Sequence, residues 1–479
     1  MLIRNIRIID PASGSDAVGD ILIQDGRIGK LLAGEDSRCV SNVGDPVESI
    51  DGNGLPDDAE IIDGTGLVCA PGLVDVHVHF RDPGFTYKED IETGARSAAA
   101  GGFTSVVMMA NTKPAIDNEE TLAYVLDKAA AQPIHVYTCA DITMGLKGET
   151  LVDMEKLSAL GAVGFTDDGI PLRDPDVCKH AMEIAAKLNM PLSFHEEDPA
   201  YITNNGINAG AASEHFGVGG SPREAEISMI RRDMEIAESL CLRGGSSDPD
   251  PVAGSSDPSD ADEGMSVCGC PDIVIQHIST AEGVELVRQA RRTNPHIHAE
   301  ATPHHFSLTE EAVIRHGAMA KMNPPLRTEA DRQAIIEGLR DGTIELISTD
   351  HAPHSAEEKS RPITEAPSGI IGLETSLALG ITNLVGSDST VSEESGTCGR
   401  LSLIELIAKM TVNPARLYGL DAGRIYEGGP ADLVIFDPDE EWIVPDTFES
   451  RSNNTPFTDT RLRGRVRMTI CGGRVVFRR

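Results

Sequence analysis

The stretch Pro71-Gly-Leu-Val-Asp-Val-His-Val-His-Phe-Arg-Asp-Pro-Gly84 alternates apolar residues with Asp75, His77 and His79. This period of two predicts a β-strand, on which side chains two positions apart point to the same face. The strand can therefore present two imidazoles side by side to one metal ion. Taken alone, the pattern is explained better by two core histidines with satisfied hydrogen bonds. The rest of the chain has to decide between these two interpretations.

Eight apolar segments with strand character occur between residues 68 and 349, and helix-like segments separate most of them. This alternation is typical of an α/β protein with a (β/α)8 barrel of the TIM type. The predicted strands are Val68–Phe80, Thr104–Met109, His135–Ala140, Ala162–Thr166, Pro191–His195, Asp272–His277, Ile297–Ala301 and Ile344–Thr349. The predicted helices are Thr86–Ala100, Asn118–Ala131, Val152–Leu160, Asp176–Leu188, Pro222–Leu242, Thr280–Arg292 and Arg327–Leu339.

Polar residues follow nearly every predicted strand at the point where the strand ends. In a TIM barrel the C-terminal ends of the strands meet at one face, and the active site lies there. If these polar residues had only a structural role, they would be scattered along the chain instead of following the strands. The strand-end residues are His77 and His79, Asn111, Asp141, Asp167 and Asp168, His195, His277, His304 and His305, and Asp350.

Short strands return at both ends of the chain, and each group is too small to fold alone. We therefore predict that the two groups pair into one small β domain beside the barrel. The predicted division is an N-terminal part of the β domain, a metal-dependent barrel and a C-terminal part of the β domain, at residues 1–65, 66–422 and 423–479. Three acidic segments rich in serine, glycine and proline are predicted surface loops without an assigned role, near residues 34–59, 244–266 and 386–400.

The chain of 479 residues has a formal charge of −35 and 40% hydrophobic residues. This composition is typical of a globular protein, and the charge argues against a nucleic-acid or anionic-membrane partner. The segment Met1–Asp10 lacks the apolar core of a signal peptide, and no later apolar run is long enough to span a bilayer. A cytoplasmic protein is the expectation. The nine cysteines show no recurrent spacing and are expected to be reduced.

Six of the strand-end residues are side chains that bind metals. Four imidazoles and two carboxylates suit one or two Zn²⁺ ions, and two ions would hold a hydroxide between them as the nucleophile. Asp350, beside the metal, could move a proton from that hydroxide to the leaving atom. Spacing does not choose between Asp167 and Asp168 as the ligand after the fourth strand. The six residues are His77, His79, Asp168, His195, His277 and Asp350.

The motifs of this chain resemble those of the amidohydrolase superfamily, and most closely those of its dihydroorotase members. The resemblance extends from about residue 60 to the end of the chain, apart from the acidic segments. The matching motifs are Asp75-Val-His-Val-His-Phe-Arg81, Glu92-Thr-Gly94, Asn111-Thr112, Gly164-Phe-Thr-Asp-Asp-Gly169, His195-Glu-Glu-Asp198, His277-Ile-Ser-Thr280, Glu300-Ala-Thr-Pro-His-His305, Lys321-Met-Asn-Pro-Pro-Leu-Arg327, Thr349-Asp-His-Ala-Pro-His354 and Asn454-Thr-Pro-Phe457.

This resemblance implies a zinc-dependent, reversible cyclisation of N-carbamoyl-L-aspartate to (S)-dihydroorotate in pyrimidine biosynthesis, with two zinc ions favoured over one. The six residues above would be metal ligands, and Asp350 would also be the proton shuttle. Asp75 would orient a ligand. Arg81 and Asn111 would bind the substrate carboxylate, which suits a guanidinium. The full set of implied substrate-binding residues is His79, Arg81, Asn111, Asn323, His354, Ser368 and Gly369.

The segment Ala162-Val-Gly-Phe-Thr-Asp-Asp168 contains no lysine. Hydantoinases, allantoinases and some dihydroorotases are expected to carry a carboxylated lysine there, so the resemblance implies that Asp168 bridges the metals, as in one dihydroorotase subgroup. The alternatives are another cyclic-amide hydrolase, such as an allantoinase or a hydantoinase, and an inactive structural partner of aspartate transcarbamoylase. A homo-oligomer and an association with aspartate transcarbamoylase are both compatible with the resemblance.

Overall fold

A computed structural model describes residues 1–33, 60–244, 269–386 and 401–479. The acidic segments predicted near residues 34–59, 244–266 and 386–400 lie almost entirely outside these ranges. Among the residues that are described, no helix combines the length and the apolar character needed to cross a membrane.

Strands and helices alternate through the middle of the chain, and further strands precede and follow them. The strands are β1 (Leu2–Asp10), β2 (Ser15–Gln24), β3 (Arg27–Ala33), β4 (Ile61–Asp63), β5 (Val68–Pro71), β6 (Leu73–Val78), β7 (Phe103–Met108), β8 (His135–Thr138), β9 (Leu192–Phe194), β10 (Ile273–Ile275), β11 (Ile297–Ala301), β12 (Leu346–Ile347), β13 (Leu433–Ile443), β14 (Arg461–Cys471) and β15 (Arg474–Arg478). The helices are α1 (Ile91–Ala100), α2 (Glu119–Ala129), α3 (Met154–Leu160), α4 (Pro175–Leu188), α5 (Ala211–Phe216), α6 (Arg223–Gly244), α7 (Ala281–Ala290), α8 (Pro303–Ser307), α9 (Glu310–His316), α10 (Glu329–Asp341), α11 (Ala356–Lys359), α12 (Ser376–Leu384), α13 (Leu403–Lys409) and α14 (Val412–Leu417).

The central strands form a closed parallel barrel, which confirms the predicted fold class. β6, β7 and β8 pair in one parallel sheet, and β9 to β12 pair in another. Phe165 joins the two sheets on one side, because it bridges Ala140 and Leu192 in parallel. Val78 and His351 join them on the other side. The predicted fourth strand is therefore reduced to the neighbourhood of one residue, while the barrel still closes around eight positions.

The strands from the two ends of the chain build one larger sheet against the barrel. Its order is β15-β14-β13-β5-β1-β2-β3, and β4 pairs with β1 at the side. Most neighbours are antiparallel, and β1 runs parallel to β4 and β5. Isoleucines such as Ile3, Ile21 and Ile470 form a separate small core in this sheet. β5 lies beyond residue 65, the predicted end of the N-terminal part of the β domain, and still belongs to this sheet. The division of the chain into domains remains a prediction.

Helix α1 begins later than the sequence pattern predicts. The pattern places its start at Thr86, whereas the helix starts at Ile91 behind the N-cap Asp90. The Asp90 carboxylate accepts a hydrogen bond from the backbone of Thr93, and the Thr93 hydroxyl accepts one from the backbone of Asp90. This capping box fixes the helix start. Residues 79 to 90 are therefore a long loop over the end of the first barrel strand.

The expectation that the cysteines are reduced is wrong for one pair. Cys241 and Cys270 form a disulfide, with their Cα atoms 4.6 Å apart. They lie on either side of a segment outside the described residues, so their proximity depends on the fold and cannot be inferred from spacing. Cys69, Cys139 and Cys178 are free and buried.

A single glycine separates β5 in the terminal sheet from β6 in the barrel, although the sequence pattern predicts one strand over Val68–Phe80. A Cβ atom on Gly72 would lie 2.1 Å from Oγ1 and 2.3 Å from Cγ2 of Thr104. The Gly72 amide donates to the carbonyl of Asp432 at 2.9 Å. The chain can therefore pass from one sheet to the other here only without a side chain.

We expect Gly72→Ala to lower the free energy of unfolding by about 1–3 kcal/mol, because the added methyl group overlaps with Thr104. Urea denaturation measures this change. A Thr104→Ala background removes Oγ1 and Cγ2 and keeps the Cβ atom, which would lie 2.7 Å away, so the same substitution should cost less there but still destabilise the fold. An equal cost in the two backgrounds would contradict the proposed clash.

Candidate active site

A cavity of about 340 Å³ opens at the C-terminal ends of the barrel strands. Eleven of the twelve residues predicted for metal and substrate lie in its wall. His77, the twelfth, lies directly below and is 1% exposed. The predicted residues in the wall are His79, Arg81, Asn111, Asp168, His195, His277, Asn323, Asp350, His354, Ser368 and Gly369.

Two groups of metal-competent side chains share the carboxylate of Asp168. His77 and His79 form one group with it, and His195 and His277 form the other. Asp168 Oδ1 lies 3.4 Å from His77 Nε2, and Oδ2 lies 3.5 Å from His79 Nε2. In the second group, His195 Nδ1 lies 3.0 Å from His277 Nε2. Ligands about 2.0–2.1 Å from a tetrahedral zinc ion are roughly 3.3 Å apart, so these spacings fit such an ion.

Glu300 sets the tautomer of His77. Its Oε1 lies 2.5 Å from His77 Nδ1, and a carboxylate can only accept, so Nδ1 carries the proton. The lone pair of Nε2 then points into the site, and Nε2 is buried without a hydrogen-bond partner. Burial lowers the pKa of His77, but Glu300 and Asp168 together raise it well above its usual value. A metal ion therefore has to compete with a proton for Nε2.

Asn111 sets the tautomer of His79 in the same way. Its Oδ1 lies 3.0 Å from His79 Nδ1, while its Nδ2 donates to Asp168 Oδ2 at 2.9 Å. The amide therefore leaves the lone pair of His79 Nε2 facing inward. That nitrogen lies 3.0 Å from Asp350 Oδ1. Asp350 thus completes the first group of potential ligands from the end of the last barrel strand, which neighbours the first.

Asp167, which spacing alone cannot separate from Asp168, points away from the cavity. Its Oδ1 accepts hydrogen bonds from the amides of Ile142 at 2.7 Å and Thr143 at 3.0 Å. Its Oδ2 accepts from the Thr143 hydroxyl. Asp167 therefore ties the loop after β8 to the fourth barrel position, and only Asp168 faces the histidines.

The neighbouring histidines keep both inward-facing carboxylates ionised. Burial raises the pKa of Asp168, but the adjacent imidazoles of His77, His79 and His195 hold it well below its usual value. Burial also raises the pKa of Asp350, and the nearby imidazoles of His79, His77 and His277 more than offset this effect and lower it. Ionised carboxylates are the form that binds a divalent metal.

Arg81 and the neighbouring His354 form one side of the cavity, which we call the cationic side because of the charge on Arg81. Arg81 Nη2 lies 3.5 Å from His354 Nε2, and Arg81 Nε donates to the carbonyl of Pro353 at 3.4 Å. Asn323 lies on another side, with Nδ2 3.1 Å from His195 Nε2. The cavity therefore places donors for an anion directly beside the two groups of potential metal ligands.

Two buried lysines, which the sequence analysis does not single out, shape the loop that carries Ser368 and Gly369. Lys321 Nζ donates to the Ala366 carbonyl at 2.7 Å, and Lys359 Nζ donates to Pro367 at 2.9 Å. Burial lowers the pKa of Lys321 to about 8 and that of Lys359 to about 7. The further residues in the cavity wall are Gly169, Asn205, Lys321, Ala352, Ala366 and Pro367.

Three of the predicted site residues have left-handed backbone conformations. The φ angles are 61° at Arg81, 31° at His277 and 48° at Asp350. Such values are uncommon for residues with a Cβ and cluster at functional sites. Each residue stands where a barrel strand turns into its loop, so the unusual backbone directs the side chain into the cavity.

The chain matches known proteins over its whole length. Residues 68–476 match the family described as Amidohydrolase family. A curated protein named "Dihydroorotase" from Clostridioides difficile (strain 630) is 48% identical over 477 residues, covering 100% of this chain and 99% of that protein. Proteins of the same name from Streptococcus pneumoniae serotype 4 and Lactococcus lactis subsp. lactis are 46% and 44% identical, with the same coverage.

Solved structures share the fold at lower identity. An L-hydantoinase (dihydropyrimidinase) from Arthrobacter aurescens has a TM-score of 0.75 at 24% identity, covering 99% of this chain and 95% of that one. The dihydropyrimidinase from Brevibacillus agri NCHU1002 also has a TM-score of 0.75, at 20% identity, covering 100% of this chain and 95% of that one. This likeness concerns the fold alone.

We expect Glu300→Gln to weaken the binding of Zn²⁺ by about 10- to 100-fold, because an amide no longer holds the proton on His77 Nδ1 as firmly. Competition titration with a chelating dye measures the affinity. Glu310→Gln is the matched control, since Glu310 is also buried but bonds Asn208 and the amide of Ala212. A similar loss in both variants would contradict the role of Glu300.

Proposed function

The chain belongs to the amidohydrolase family and, within it, to the dihydroorotases, and from this premise we propose that its barrel cavity interconverts N-carbamoyl-L-aspartate and (S)-dihydroorotate with bound zinc. This reaction closes and opens a cyclic amide in pyrimidine biosynthesis. One observation carries the assignment of the site: two groups of histidines share Asp168 in the cavity whose wall also contains Arg81.

Two zinc ions would be held by the six residues predicted as ligands. His77, His79 and Asp350 would serve one ion, His195 and His277 the other, and Asp168 both. Zinc in such a site supplies a Lewis acid for the amide carbonyl and a water that is acidic enough to attack at neutral pH. The orphaned Nε2 of His77 and the ligand spacings support this fit.

Asp350 would move the proton. Its carboxylate is ionised and buried in the cavity wall, so in the hydrolytic direction it can take a proton from the attacking water. It would then deliver that proton to the ring nitrogen that leaves as the amide bond breaks. In the cyclisation direction the same carboxylate takes the proton from the ureido nitrogen. Asp350 Oδ1 lies 3.0 Å from His79 Nε2, so the carboxylate stands beside the residues that would hold zinc.

The cationic side of the cavity would bind the carboxylate that does not react. Arg81 offers a planar pair of donors for it, and His354 and Asn323 flank the remaining space. Hydantoin and allantoin lack this carboxylate and would leave Arg81 unpaired. The missing lysine at the fourth strand also weighs against these substrates. An inactive partner protein would be expected to have lost ligands, whereas all six residues face one another here.

The metal identity, the number of ions and the assembly remain parts of the proposal. A homo-oligomer, an association with aspartate transcarbamoylase and a cytoplasmic location stay predictions, as do the roles of Ser368 and Gly369. The Gly369 amide donates to the Lys321 carbonyl at 2.8 Å, and the Ser368 carbonyl accepts from His354 at 2.7 Å. Substrate would have to share these groups.

Purified protein loaded with zinc should hydrolyse dihydroorotate and cyclise N-carbamoyl-L-aspartate, and should leave hydantoin and allantoin unchanged. Asp350→Asn should lower kcat in both directions by at least about 100-fold, because the amide cannot take up the proton. The absorbance of dihydroorotate in the ultraviolet follows both reactions. Near-normal turnover by a folded, zinc-loaded Asp350→Asn protein would refute the proton-transfer role, and no turnover by the parent protein would refute the function.

Asp168 and Asp167 provide a paired test of the bridging ligand. We expect Asp168→Asn to retain at most one zinc ion per chain and to lose activity, because a neutral amide bridges two cations poorly. Asp167→Asn should retain the metal content of the parent protein, since its carboxylate bonds only to Ile142 and Thr143. Elemental analysis after dialysis measures the metal. Equal metal loss in both variants would contradict the assignment of Asp168.

A further inference from the structure

Lys88 packs behind the cationic side of the cavity without lining it. The residue lies on the loop between β6 and α1 and is 9% exposed. Its Nζ lies 2.9 Å from Glu358 Oε1 and 3.3 Å from His354 Nδ1. The Tyr87 hydroxyl donates to the same Glu358 oxygen at 3.0 Å. Burial lowers the pKa of Lys88, and the hydrogen bond with Glu358 opposes this effect.

The two ring nitrogens of His354 face partners of opposite character. An ammonium group can only donate, so Nδ1 beside Lys88 has to be the nitrogen with the lone pair. A backbone carbonyl can only accept, and the Ser368 carbonyl lies 2.7 Å from Nε2. Nε2 therefore carries the proton. Lys88 and the Ser368 carbonyl thus favour the same neutral tautomer, whose Nε2 proton the substrate would share with Ser368. Arg81 Nη2 is a donor that opposes this tautomer, but it lies farther from Nε2, at 3.5 Å.

We infer that Lys88 is a positioning residue for substrate recognition, because it fixes His354 in the tautomer that turns an N–H toward the substrate carboxylate. This inference rests on the proposed function, since it names the group that the N–H would meet. His354 Nε2 and Arg81 Nη2 are 3.5 Å apart at the cavity wall. The two donors can bind the same anionic group from adjacent positions. Without Lys88, the Ser368 carbonyl alone would oppose Arg81 Nη2, which favours a lone pair on Nε2. A lone pair on Nε2 would repel the substrate carboxylate.

The charges around His354 keep its ring neutral, as this arrangement requires. Burial lowers the pKa of His354, and the charges of Arg81, Lys359 and Lys88 lower it further. Glu358 Oε2, at 3.8 Å from Nδ1, is the acidic group that faces the ring, and it is already bonded to Lys88 through Oε1. The backbone amide of His354 donates to Asn454 Oδ1 at 3.0 Å, which fixes the main chain.

Steady-state kinetics of the zinc-loaded enzyme test the effect on recognition. Lys88→Met should raise KM for dihydroorotate by about 10-fold and change kcat by less than about 2-fold. Lys88→Arg keeps a donor and should recover most of the loss. Lys128→Met is the control, because Lys128 anchors the same loop through Asp82 at 2.8 Å without contacting His354. An unchanged KM in Lys88→Met, or an equal rise in Lys128→Met, would overturn the inference.

The tautomer itself can be read without turnover. In protein labelled with ¹⁵N at its 14 histidines, the His354 signals are assigned by their loss in His354→Gln. We expect a protonated Nε2 and an unprotonated Nδ1 in the parent protein, and a shift of the Nδ1 signal in Lys88→Met. A proton on Nδ1 of the parent protein would overturn the inference even if the enzyme is active. Loss of turnover in the parent protein would instead refute the proposed function.

Discussion

The parallel pairing of Val78 with His351 joins the first barrel strand to the last, and the position of every residue in the cavity depends on it. His79 Nε2 and Asp350 Oδ1 lie 3.0 Å apart although 271 positions separate them in the chain. His77 lies in the first strand itself, and Asp168, His195 and His277 come from barrel positions between the first and the last. Because each strand contributes only one or two side chains, no local segment can assemble the site. A change that opens the barrel would therefore move the potential ligands apart even though every ligand residue is unchanged.

Strand periodicity and the polar residues at strand ends were sufficient to predict the barrel and the potential metal ligands. Both signals are local, and barrel geometry converts them into a site because all parallel strands end at the same face. The family resemblance was needed for the remaining predicted residues of the cavity wall, which are Arg81, Asn323, His354, Ser368 and Gly369. Glu300 was not predicted as a partner of His77, because it lies inside β11 and meets the first strand only across the barrel interior. Asp75 was expected to orient a ligand. Its carboxylate accepts hydrogen bonds from the amides of His77 and Thr349, so it acts on the backbone at the barrel closure.

Asp167 and Asp168 illustrate what spacing cannot supply. Neighbouring residues on extended backbone point to opposite faces, so a shift of one position exchanges their environments. The fourth barrel position is fixed by the bridges of Phe165 to Ala140 and Leu192 and by backbone hydrogen bonds of its neighbours, such as that from Thr166 to Ala140 at 2.9 Å. This register turns Asp168 inward and leaves Asp167 to bond backbone amides. The family resemblance predicts Asp168 without this geometry, because matching the motif to that of relatives already determines which of the two residues faces inward.

The chemistry of each histidine in the cavity follows from what lies behind its ring. Glu300 and the Asn111 carbonyl accept the proton of Nδ1 in His77 and His79, so each ring turns a lone pair toward the place for a metal. Lys88 donates to Nδ1 of His354, so that ring turns a proton toward the place for an anion. Under the proposed function, histidine would thus serve both cation and anion binding in one cavity. Moving one proton from one ring nitrogen to the other exchanges the donor and the acceptor of a histidine. The residues behind the rings are therefore as decisive for the site as the histidines themselves.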